Sequence, residues 1–138
     1  MKKIALSLLL ALTGTSAYSE SVYELAQAHC KKAETVASLA QTYRQLGMSP
    51  SIATDKLMEG LSKVTDQKLK DEETKNIFFV VQDAYQFPVY PIKELKQKAI
   101  ADFAERHFFA CRQAFQNTIN FVDNNELMPD GTIRPKTK

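Results

Sequence analysis

No tryptophan occurs in this sequence, and glycine occurs only four times in 138 residues. A β-sandwich or barrel needs many short alternating segments with turn residues between them, so these shortages argue against that class. Long hydrophobic runs are equally scarce. The one at Ile4–Leu12 is about nine residues, roughly half of what a bilayer-spanning helix requires, and no second run follows, which argues against a stable membrane span. Catalytic signatures are missing too: there is no nucleophile elbow, phosphate-binding glycine loop, His-Glu metalloprotease motif or haem-attachment cysteine pair. Histidine and cysteine each occur twice, at His29, His107, Cys30 and Cys111.

What is present begins with an export pattern. Met1, Lys2 and Lys3 precede the apolar run, and small and polar residues follow it through Ser19, as in a secretory signal peptide. Thr15 and Ala17 fit cleavage before Tyr18, leaving 1–17 as the signal, and Ala17 with Ser19 fits cleavage two residues later. No cysteine stands near either site, which favours a soluble chain over a lipid-anchored one. The predicted location is the periplasm or the medium. Removing 1–17 takes two lysines and no acid, so 18 basic residues become 16 against 16 acidic. A mature chain near neutrality lacks the positive field of a general nucleic-acid binder.

The rest predicts one all-α domain over 20–125, followed by a turn and a flexible tail over 126–138. Ser21 with Glu24 has the form of a capping box, and Val22, Ala26, His29, Ala33, Val36, Ala40 and Tyr43 hold helical spacing up to a glycine cap at Gly47. Ser49 and Pro50 start a shorter second helix whose face is Ala53, Leu57, Leu61 and Val64. A polar connection leads to a third helix carrying Ile77 to Tyr85, with Asp71, Glu72 and Glu73 at its N-terminal end, where the macrodipole favours acids. Pro91 to Asn124 forms the fourth helix, ended by Asn124 and Asn125 in the left-handed conformation. Its stripe Ile100, Ala104, Phe108, Cys111, Phe115, Ile119 and Val122 has a second stripe beside it, wide enough to touch two neighbours. It is therefore expected to be the central helix of a four-helix bundle, with Phe108, Phe115 and Ile119 buried.

In an exported chain, two cysteines on helix faces are most simply one disulfide. A Cys30–Cys111 bond would tie the first helix to the last across a loop of about 80 residues and add roughly 4 to 5 kcal/mol in the chain-entropy model. The competing reading is zinc held by His29, Cys30, His107 and Cys111. Against it, adjacent His29 and Cys30 point about 100° apart on a helix and the usual short cysteine spacings are absent. No cofactor is expected on the first reading. Glu72, Glu73 and Asp83 read as solvated helix acids.

Aromatic residues make the case for binding. Phe78 with Phe79 and Phe108 with Phe109 are adjacent pairs, and one core contact does not cover both members of such a pair. The connection Phe87, Pro88, Val89, Tyr90, Pro91 is apolar and stiffened by two prolines, which lowers the entropy lost on docking. Phe87, Val89, Tyr90, Phe79 and Phe109 are thus the candidate contacts with a protein partner. The alternative is that these rings close the open end of the bundle.

The layout resembles that of small exported helical proteins of bacteria and their phages with no assigned activity. The resemblance rests on Cys30, on Arg44, Gly47 and Ser49 at the first turn, on Ala84, Tyr85 and Pro88 after the third helix, and on Phe103 and Cys111. It implies the helical fold and the cysteine pairing, and it carries no activity. Small periplasmic immunity proteins that block cell-wall-cutting toxins are comparable in compartment and size. The expectation is an accessory or inhibitor factor that binds another exported or envelope protein. The alternatives are a small metal-dependent or hydrolytic enzyme using His29 or His107, and a structural protein of the envelope.

Overall fold

The computed structural model describes residues 16–129 and 131–136. The expected export signal, apart from its last two residues, lies outside them. The described residues are mostly helical: α1 (Ser16–Gln45), α2 (Pro50–Glu59), α3 (Gln67–Ala84) and α4 (Lys93–Asn124), with a 3-10 turn at Gly60–Lys63 and two short strands, β1 (Asn125–Leu127) and β2 (Ile133–Pro135). None of these helices is long and apolar enough to cross a membrane.

Two boundaries follow the local chemistry read from the sequence. The α1 helix ends where Gly47 takes φ +76°, while the Met48 amide donates to the Tyr43 carbonyl and the Gly47 amide to the Arg44 carbonyl. This is the glycine cap in which two otherwise unpaired carbonyls are satisfied by a turn that L side chains resist. At α2 the Ser49 hydroxyl accepts from the Ile52 amide and Pro50 occupies the first position.

Other boundaries differ. The α1 helix is already formed at Ser16, so Ser21 does not start it. Helix α3 begins at Gln67, capped by the Asp66 carboxylate on the Leu69 amide at 3.0 Å, and Asp71, Glu72 and Glu73 lie inside it. Pro91 stands just outside α4, which starts at Lys93. The left-handed ending at Asn124 and Asn125 is not found: Asn125 is extended and opens a hairpin whose strands pair antiparallel, Asn125 with Pro135 and Leu127 with Ile133. Gly131, at φ +81°, supplies its turn, and the Lys136 amide returns to the Asn124 carbonyl. The expected flexible tail is thus paired in part with itself.

The buried cluster comprises Ala37, Ala40, Ala53, Leu57, Ile77, Val80, Val81, Ala84 and Phe103. Small residues on α1 let its backbone approach its neighbours closely, while α3, through Ile77, Val80 and Val81, supplies more of the volume than any other helix. The helix that meets the three others is α1; α4 packs mainly along α1 and runs antiparallel to it. Expecting α4 at the centre, with Phe108, Phe115 and Ile119 buried, is corrected accordingly: those three are half-exposed, and only Phe103 and Ala104 of α4 are buried. The second stripe of α4 has no second helix over most of its length.

Candidate functional site

Cys30 on α1 and Cys111 on α4, 81 positions apart in sequence, form a disulfide with their Cα atoms 5.5 Å apart. Cys30 is fully buried, whereas Cys111 is half-exposed in the lining of a groove of about 360 Å³. Three helices line it. From α1 come His29 and Ala33; from α3 come Leu69, Glu72, Glu73, Asn76 and Phe79; from α4 come His107, Ala110 and Cys111. The residues from α3 recur at steps of three and four, which puts them on one wall. Ala33, Ala110 and Cys111 are the small residues of this lining. Phe79 stands on the lip with 64% of its surface exposed.

The two histidines therefore share one groove, but differ in their settings. His107 is half-buried, 3.0 Å from Asp83 through Nε2 and 4.5 Å from the Phe103 ring centroid. His29 is exposed and meets Phe115 edge-on at 5.5 Å. Asp83 also receives Arg106 at 2.7 Å, and that guanidinium lies over the rings of Phe87 and Phe103. Asp83 is thus the anchor of an ion-paired, ring-stacked cluster and not a free acid. A His–Asp pair can orient a base, but among the described residues that line the groove none offers a hydroxyl or free thiol for it to activate.

The disulfide also removes both sulfurs from the four-residue zinc set, leaving only the imidazoles. Among the described residues no three of His, Cys, Asp and Glu are arranged to hold a metal ion.

The residues expected to touch a partner are divided. Phe79 lines the groove, and Phe109, 59% exposed, projects from α4. Val89 is exposed on the connection between α3 and α4. Phe87, by contrast, packs on the core and meets Phe103 edge-on at 5.5 Å. Tyr90 is half-buried beside Phe87, Ala99, Asp102, Phe103 and Arg106. The connection is fastened through its backbone to the end of α1: Gln45 Nε2 donates to the Pro88 carbonyl at 2.9 Å, Gln45 Oε1 accepts from the Tyr90 amide at 3.0 Å, and Arg44 Nε donates to the Phe87 carbonyl at 2.9 Å. The Tyr85 hydroxyl closes the same end by donating to the Met48 carbonyl at 2.7 Å, and burial raises its pKa above the ordinary phenol value.

The sequence reading passed over Glu72, Glu73 and Asn76 as parts of a solvated lead-in. The signal that finds them is the spacing Leu69, Glu72, Asn76, Phe79, which becomes visible once Asp66 is taken as the helix cap. Comparison of the chain with protein-family models, with curated proteins and with solved structures finds no match.

Proposed function

We propose that this chain is an exported, soluble protein of the periplasm or medium, a four-helix bundle whose first and last helices are stapled by Cys30–Cys111, and that it acts by binding another exported or envelope protein at the groove beneath Phe79. The observation that carries the reading is the exposure of the Phe79 ring at 64% on the lip of that groove. An aromatic side chain left in water beside a groove is the arrangement of an interface anchor, and such anchors contribute disproportionately when a partner desolvates them. The disulfide in the lining supports the reading twice. It is stable in an oxidising compartment, and it keeps α1 and α4 from shifting when a partner docks.

The role this describes is that of an accessory or inhibitor factor, held by complementarity and without chemistry of its own. It is tested by capture from envelope extract with identification of the bound protein, comparing the natural chain with Phe79→Ser. The variant should keep the helical signal and the disulfide, and should bind the identified partner at least about 1 kcal/mol more weakly, as for an aromatic anchor. Equal affinity of the two proteins would refute the groove as the interface. Phe109→Ser asks whether the interface extends across α4. Phe87→Ser is unsuited to the purpose, because that ring packs on the core and its loss would lower stability first.

A further inference from the structure

Resting on the reading of the groove as a protein interface, we propose that the side chain it receives is an arginine of the partner, inserted between the α3 wall and Phe79. Glu73 and Asn76 are half-buried on that wall, and Glu72 is exposed beside them. None of the three has a side-chain hydrogen bond or ion pair within the described chain, and no Lys or Arg lines the groove. Asp71, Asp83 and Asp102 accept from Gln67, Arg106 and Lys98 in turn, whereas Glu94, Glu105 and Asp123 of α4 stand on the outer surface away from the groove lining and, like the groove acids, have no such partner among the described residues. The groove wall thus presents two carboxylates and one amide oxygen with no internal donor for them, beside an aromatic face.

A metal ion does not fit this set, since no three potential ligands converge among the described residues. A guanidinium does. Its planar fork offers five donors to acceptors spread along one wall, its face stacks on an aromatic ring, and its aliphatic stem suits the small residues Ala33, Ala110 and Cys111. Lysine would satisfy the charge but not the spread of acceptors or the stacking.

The test is titration of the isotopically labelled, oxidised full-length mature chain, followed by amide chemical shifts. Three blocked tripeptides serve as probes, carrying arginine, lysine or glutamate between two leucines. The arginine peptide should give saturable shifts confined to Glu73, Asn76, Phe79 and Ala110, and should bind more tightly than the lysine peptide. The glutamate peptide should give none. Glu73→Gln should weaken the arginine peptide by about threefold, the scale of one partly screened charge pair, and Glu72→Gln, at an exposed position, should weaken it without touching the fold.

Equal binding of the glutamate peptide, shifts located elsewhere, absence of saturation, or indifference to both variants would overturn the proposal. Such a failure leaves the capture result with Phe79→Ser standing. If Phe79→Ser also had no effect on the partner, the interface reading itself would fall.

Discussion

The same two antiparallel helices are held together in different ways on the two sides of the disulfide. On the side of Gln45 and Lys93, α1 and α4 are joined by α2 and α3, and every member of the buried cluster lies there. On the other side, toward Tyr23 and Asn124, no other described helix joins α1 and α4, the β1–β2 hairpin packs at the end of α4, and Ala26 is the one buried residue among the described side chains. Contacts there run along the seam: Arg112 donates to Gln27 and, at 2.7 Å, to the Tyr23 hydroxyl, with its guanidinium over the Tyr23 ring. Exposed pairs of this kind contribute little each. The difference teaches that apolar burial secures the first side, and that the covalent bond, placed where burial ends, is what secures the second.

The largest expected effect comes from breaking that bond. Replacing Cys30 and Cys111 together by Ser should cost about 4 to 5 kcal/mol in the chain-entropy model for a loop of this length. Denaturant unfolding measures the total. Amide exchange should further show protection lost first beyond Cys111, with the Ile77–Ala84 stretch of α3 the last to open. Uniform loss along α4 would mean that the two sides fold as one unit.

A matched pair of phenylalanines sharpens the comparison. Phe103 is 2% exposed and packs with Phe87 and His107, so Phe103→Ala should cost about 3 to 5 kcal/mol. Phe115, on the other side of the bond, is half-exposed against His29, and its truncation should cost only about 1 kcal/mol. Equal costs in reversible denaturation would show that burial is not what distinguishes the two sides.

This asymmetry was partly legible in the sequence. Ser49–Pro50 and Gly47 marked their boundaries because capping chemistry is local and needs no tertiary partner. The cysteine pairing was legible because only two cysteines exist. The central helix was misjudged for a physical reason: periodicity records which residues share a face, not whether another helix covers it. Ile119, Phe121 and Val122 extend a convincing stripe beyond the reach of α2 and α3, where α1 is the one helix beside α4 among the described residues. The start of α3 was missed because Gln67–Asn76 leans on its neighbours through half-buried Lys70, Glu73 and Thr74 and shows no apolar period. The groove inherited that error, since its wall is the same segment. Three-residue strands such as Asn125–Leu127 are too short for any alternation to register.

The smallest expected effects, and the finest test of how the core side is built, come from two glutamines one helical turn apart on α1. Gln45 is 2% exposed and Gln41 fully buried, so both amides have left water. Gln45 recovers the loss by donating to the Pro88 carbonyl and accepting from the Tyr90 amide, which fixes the connection across the end of α1. The Lys96 ammonium reaches the Gln45 carbonyl at 3.1 Å and caps the same helix end. Neither polar atom of the Gln41 side chain has a hydrogen-bond partner among the described residues. Methionine, close to glutamine in length and free of strong polar groups, separates the two cases. Gln45→Met removes the partner of a part-buried carbonyl and amide and should cost about 1 kcal/mol, with faster exchange at Tyr90. Gln41→Met removes a buried amide that nothing compensates and should raise stability by about 1 kcal/mol. If Gln41→Met destabilised the chain as much as Gln45→Met, the Gln41 amide would have to be satisfied in solution, and α1 would carry a second polar fastening inside the core.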